Sequence, residues 1–146
     1  MLEKRPALRR IFSTDYATFL ATIFIVIAAG AFLLDRLVEP LTVSQELPYI
    51  AAVVGAIGIP VIVWRIRLIS SAFEYGWEVD GDILDIGFFR DRGRITYIYT
   101  VQGQRYQASN AILRNRTTRS LQRGQKVKVM ANRDNPKIAF IRSLYV

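Results

Sequence analysis

The stretch GIPVIVWRIRLISS, residues 58–71, begins as hydrocarbon and ends on two arginines, Arg65 and Arg67, followed by two serines. Such a segment marks the edge of a bilayer. A guanidinium is costly at the membrane centre but reaches the headgroups from the last turn of a span. Working back, LPYIAAVVGAIGIPVIVW (residues 47–64) carries no charge. With Ile66, Leu68 and Ile69 it becomes long enough to cross the hydrocarbon layer at about 1.5 Å rise per residue. Pro60 is tolerable in a membrane helix, though it is expected to kink it. Earlier, YATFLATIFIVIAAGAFLL (residues 16–34) is uncharged over a full span. Transmembrane helices are therefore predicted over about 16–34 and 47–69.

Two alternatives compete with these spans. A buried hairpin in a soluble protein would need far more covering chain than 146 residues supply. A cleaved signal peptide would use the small residues Ala29 to Ala31, yet the apolar run continues through Phe32, Leu33 and Leu34.

The flanking cations give an orientation. Lys4, Arg5, Arg9 and Arg10 precede the first span, Arg36 stands between the spans among Asp35, Glu39 and Glu46, and Arg65 and Arg67 follow the second. By the positive-inside rule both termini face the cytoplasm, and the connection over residues 35–48 lies outside. Within the second span Ala51 and Gly55 stand four apart, as do Ala52 and Ala56; Ala17 and Ala21 do so in the first. Such small faces let helices approach closely, either within this hairpin or against an external partner helix.

The chain has no cysteine and no histidine. That removes disulfides, thiolate or imidazole metal sites, Cys or His nucleophiles and the usual haem ligands, so no cofactor is expected. The net charge of +8 suits anionic lipid or nucleic acid, and equally a solvated basic surface.

After Ser71 the periodicity changes from helical to alternating. WEVDGDILDIGFF (residues 77–89) reads as a strand, and RDRG (90–93) as a turn using Gly93. RITYIYTV then places Ile95, Tyr97, Tyr99 and Val101 on one face, and Gln102-Gly103 turns the chain into QRYQAS. In GQKVKVMA, Val127 and Val129 point inward and Lys126 and Lys128 outward; NRDNP (132–136) leads into KIAFIRS. The expected fold is a membrane α-helical hairpin plus a small all-β domain, about five antiparallel strands forming a barrel or rolled sheet. Its parts are a basic cytoplasmic N-terminus (1–15), the hairpin (16–71) and a cytoplasmic β domain (72–146).

The order Gly81-x-Ile83, Tyr97-x-Tyr99-x-Val101-x-Gly103-x-x-Tyr106, Gly124-x-x-Val127-x-Val129 and Asn135-Pro136-x-x-Ala139 resembles a bacterial membrane-anchored family known as domain of unknown function 3592, over about residues 79–142. The resemblance implies transmembrane helices paired with a β-rich module in a bacterial cytoplasmic membrane. It implies no catalytic residues.

Candidate chemistry is sparse. Asp80 and Asp82 share a face of an extended strand, where they would suit a hard cation or an acid–base pair; DGD around a glycine is also ordinary turn or edge chemistry. Arg114, Arg116, Arg119 and Arg123 fall on a loop or short helix. Beside Arg65 and Arg67, each would add about 1 kcal/mol toward anionic lipid; otherwise they solvate a loop. Nucleic acid is not expected, because Tyr97 and Tyr99 follow the inward pattern instead of forming a stacking platform. Asn115-Arg116-Thr117 matches a glycosylation acceptor, idle on the cytoplasmic side.

These features point to a non-enzymatic integral membrane accessory or scaffold subunit. Its partners would be other integral membrane protein subunits, in a complex of an energy-converting kind, and membrane lipids. A regulatory or anionic-lipid-sensing β module is the alternative.

Overall fold

The computed structural model describes residues 6–37 and 46–146; Lys4, Arg5 and Glu39, with most of the connection between the apolar runs, lie outside the described residues. Two long helices form where the uncharged runs predict them: α2, Tyr16–Leu37, and α3, Leu47–Tyr75, preceded by a short α1, Leu8–Thr14. Both α2 and α3 are long and apolar enough to cross a membrane, and almost none of their apolar length is buried. The core helix of a soluble protein would be covered. Here Phe24, Val26, Ile27 and Leu34 of α2, and Val53, Ile57 and Ile59 of α3, are exposed. Such a surface needs hydrocarbon or another protein around it.

The two spans approach at Gly58. A Cβ there would stand 2.9 Å from Cγ1 and Cδ1 of Ile25 and 3.7 Å from the Ala21 carbonyl, so the missing side chain is what lets Ile25 seat. α3 runs on through Pro60, whose ring nitrogen has no hydrogen to give the Ala56 carbonyl.

α3 also passes the compositional break at Ser70-Ser71 without ending. Ile69, Ala72 and Phe73 lie on one side of its last turns, all essentially inaccessible to solvent. The chain accordingly divides inside this helix, into one unit holding residues 6–16 and 66–146 and another, Ala17–Arg65. The boundary expected at residue 72 moves to Ile66, because the apolar face of the helix continues beyond the last arginine. The N-terminal segment is no separate tail either. Its residues in α1 join the β unit, with Ile11 fully buried.

That unit is built on β1 (Trp77–Phe89), β2 (Arg92–Val101), β3 (Gln104–Leu113), β4 (Lys126–Ala131) and β5 (Ala139–Ile141), with one-turn helices α4 (Arg116–Arg119) and α5 (Arg142–Tyr145). The sheet order is β3-β2-β1-β4-β5, every pair antiparallel, and the sheet curls into a nearly closed barrel. Ile95, Tyr97, Tyr99 and Val101 face inward, as do Val127 and Val129. Gln102 and Gly103 both take positive φ, the requirement of a two-residue turn matching strand twist. Two expectations shift. β3 continues to Leu113, so residues 110–113 are strand; and Gly93 lies in β2 opposite Phe88, the turn residue with positive φ being Arg90.

A bulge bends β1. Ile83 pairs with Tyr97 and Asp85 with Thr96, leaving Leu84 as the extra residue. Alternation changes parity there: Gly81 and Ile83 point inward before the bulge, Ile86 and Phe88 pack on the core after it, and Phe89 points out.

Tyrosines bridge the barrel interior. The Tyr97 hydroxyl donates to the Ala139 carbonyl of β5 at 2.6 Å and lies 2.5 Å from the Asn110 amide oxygen of β3. Tyr99 donates to the Pro136 carbonyl. Polar closure falls to α1, which lies between β3 and α5. Ala7 N–H donates to the Tyr145 carbonyl at 2.9 Å, Thr14 Oγ1 to the Leu144 carbonyl at 3.4 Å, and Arg10 to main-chain oxygens of Ser143 and Val146. Asp15 bridges to Ile112 of β3.

Replacing Tyr97 by Phe should destabilise the β unit by about 1–3 kcal/mol, because the buried Ala139 carbonyl loses its donor; denaturant unfolding of the full chain in detergent measures it. Burial pushes the Tyr99 hydroxyl up to about 12 and that of Tyr97 well above the ordinary range. Their neutral forms are favoured in the folded state, so this stability is whole below about pH 10 and is lost as pH rises through about 12. In an alkaline titration the tyrosinate signal of these two rings should appear together with unfolding. Ionisation at the ordinary tyrosine pKa in a still-folded chain would contradict it.

Candidate membrane-interface site

The arginine segment that follows β3 is held in place by Asn115. Its side-chain oxygen accepts from Thr118 N–H at 2.8 Å, while Thr118 Oγ1 accepts from Asn115 N–H at 2.8 Å, a reciprocal cap that starts α4. The other end of the amide, Nδ2, donates to the Ser13 carbonyl at 2.9 Å and approaches Thr14 Oγ1 at 3.3 Å. Both bonding ends of this side chain are therefore committed, which is the structural account of the sequon at Asn115. The consequence for the site is positional. Arg114, Arg116 and Arg119, all exposed, are tied to the residues that immediately precede the first apolar span.

A second basic group meets the same place. Tyr16, the first residue of α2, lines a cleft of about 420 Å³ with Gly87, Phe88, Phe89, Arg92, Gly93, Arg94 and Ala111. The cleft is the outer mouth of the β1–β2 hairpin. Gly93 shapes it: a Cβ there would come within 2.5 Å of Phe88 Cδ1, so the bare backbone lets the Phe88 ring lie across the paired strand. Phe89 points outward and is 62% exposed. The guanidinium carbons of Arg90 and Arg92 stand 5.5 Å and 5.7 Å from its ring centre, and that of Arg114 stands 6.0 Å from the centre of Phe88. Cations over aromatic faces are held without a carboxylate, leaving their outward N–H groups available.

The remaining expected residues distribute as follows. Arg123 is exposed in the turn before β4, away from the cap that fixes α4. Arg67 is exposed on α3, and the Arg65 guanidinium lies 5.9 Å from the ring centre of its neighbour Trp64. Ala51 and Gly55 are half-buried, but a Cβ on Gly55 would meet nothing within 4 Å. The tight contact is at Gly58, which the small-residue spacing did not single out. Ala52 and Ala56 are exposed. The sequence reading also missed Phe88, Phe89, Arg90, Arg92 and Arg94, taking them as strand end and turn. The signal available was two aromatic residues next to a run with three arginines in five positions.

Asp80 is engaged across the sheet. Its carboxylate pairs with Lys128 Nζ at 2.7 Å across β1 and β4, and that hydrogen bond and charge raise the lysine's pKa. Among the described residues no group of three acidic residues could hold a metal ion. A parallel pair, Arg142 with Glu78 at 3.0 Å, lies on the same strands' side.

No family model, no curated protein and no solved structure matches the chain.

Because the Asp80–Lys128 pair is largely exposed and surface pairs are weak, Asp80→Asn and Asp82→Asn should leave the melting temperature in place, with and without added calcium. A calcium-dependent rise that the substitutions abolish would show a cation site.

Proposed function

We propose that this chain is a non-enzymatic integral membrane accessory or scaffold subunit. Its spans dock on a larger membrane protein complex, of an energy-converting kind, and its β module is held at the cytoplasmic face. The observation that carries the reading is the burial of Ile11, Ile69 and Phe73 in one core with the barrel residues. Both chain segments that border the apolar helices are thus part of the β unit's own fold, which suits an accessory subunit more than a catalytic domain carried on a separate linker. The exposed Ala52–Ala56 face of α3 offers a neighbouring helix a close approach. The location proposed with it is a bacterial inner membrane, and the count of flanking cations supports cytoplasmic termini.

A second reading, an anionic-lipid-sensing β module, is favoured by one specific contact. Asn115 fixes Arg114, Arg116 and Arg119 beside Ser13 and Thr14, one turn or less from the first span, where basic side chains meet anionic headgroups.

Extraction in mild detergent with crosslinkers at Ala52 and Ala56 should capture a membrane protein partner, and Ala56→Leu should weaken that capture. A chain that migrates alone from native membranes, with crosslinks to none but itself, would end the accessory reading. Protease added to sealed right-side-out vesicles should leave residues 77–146 intact; digestion from that side would reverse the assigned topology.

A further inference from the structure

We propose that the tip of the β1–β2 hairpin is a second membrane-contact element, in which Phe89 enters the interfacial layer of the bilayer and Arg90, Arg92, Arg94 and Arg114 hold anionic phospholipid headgroups. The proposal deepens the lipid reading above and rests on α2 and α3 being membrane spans, not on any partner complex.

Position is the first support. Tyr16 begins the uncharged run of α2 and also borders the cleft formed by Gly87, Phe88, Phe89, Arg92 and Arg94, so the tip sits within one residue's reach of the point where the chain enters lipid.

Composition is the second support. An exposed phenylalanine with two guanidiniums near its ring has the make-up of an interfacial anchor, with the apolar body entering the acyl boundary and the charges staying among phosphates. Four guanidiniums stand there against two carboxylates, Asp91 in the turn and Asp85, diagonal to Arg94 across β1 and β2. Among the described residues none of these four arginines has an acidic side chain within ion-pair distance. On the β4 side Lys128 and Arg142 are each answered by a carboxylate, while Lys126 is not; what marks the tip is four guanidiniums gathered around an exposed ring.

The β1 bulge completes the arrangement. Were the same residues to run through Leu84 in regular alternation, with no bulge, Phe89 would turn toward the core and Phe88 toward solvent. The bulge is what presents the second ring.

The chain has no native cysteine, so single labels are unambiguous. The full-length protein carrying a nitroxide at Phe89→Cys, or at Thr100→Cys near the opposite end of β2, would be placed alone in nanodiscs of phosphatidylcholine, with or without phosphatidylglycerol. Collision with lipid-phase oxygen and with a water-soluble nickel chelate reports the depth of each label. With phosphatidylglycerol, the Phe89 label should be sheltered from the nickel chelate and reached by oxygen, while the Thr100 label stays aqueous in both discs. Replacing Arg90, Arg92 and Arg94 by Gln should lower the ratio of sheltered to exposed label about fivefold for each charge removed, and high salt should lower it too.

A Phe89 label as water-accessible as that at Thr100 in anionic discs would overturn the proposal. So would shelter that is equal in pure phosphatidylcholine and indifferent to the Gln substitutions, since it would leave the arginines without a role. Shelter that arises only on adding solubilised native membrane proteins would assign the tip to a protein. A parallel label at Thr117 reads the α4 segment separately. Anionic-lipid dependence there with none at Phe89 sinks this proposal and spares the broader lipid reading; the reverse confines lipid contact to the hairpin.

Discussion

The packing of Ile69, Ala72 and Phe73 of α3 and Ile11 of α1 into the barrel interior is the interaction from which the rest of the molecule follows. A five-stranded sheet of this size cannot cover its own concave face, and an amphipathic helix end cannot remain in water with its apolar side bare. Each answers the other's need. The Phe73 ring meets the Tyr145 ring edge-on at 6.0 Å, and Tyr145 in turn meets Phe140 of β5 at 5.7 Å, so the membrane-derived helix is continuous with the aromatic core. The same packing fixes Tyr16 and the Asn115 cap beside the entry to the first span, and thereby places the arginines.

Much of this was legible in the sequence because the governing signals are local. Uncharged length specified α2 and α3, period-two alternation specified β2 and β4, and the Gln102-Gly103 pair specified the second hairpin. The end of the helical hairpin was not legible. Serines 70 and 71 break the composition, yet the helix ignores them. Ser71 Oγ returns a hydrogen bond to the Leu68 carbonyl at 3.0 Å, and Ile69 and Phe73 gain more from the barrel than the serines lose in helix propensity. The role of Leu8 to Thr14 was hidden for a related reason. Its partners, Leu144 and Tyr145, lie some 130 residues away, beyond any local pattern.

The hairpin tip illustrates a third kind of limit. Phe88 and Phe89 look alike in sequence, and strict alternation from Ile83 predicts the wrong one outside. A single unpaired residue decides the matter, and a bulge has no compositional mark when it is a leucine in a run of strand formers. Gly93 misled similarly. A glycine after RDR suggests a turn, whereas here it serves the ring on the neighbouring strand, and Arg90 takes the positive φ that glycine would have eased.

The closure of the barrel by α1 against α5 also bears on how the protein is made. Arg10 and Val146, 136 residues apart, meet at the surface of the β unit, and both apolar helices lie between them in the chain. Synthesis produces α1, then the two apolar helices, and only afterwards β4, β5 and α5. The β unit therefore closes late, and α1 stays without its α5 partner until residues 142–145 have been made.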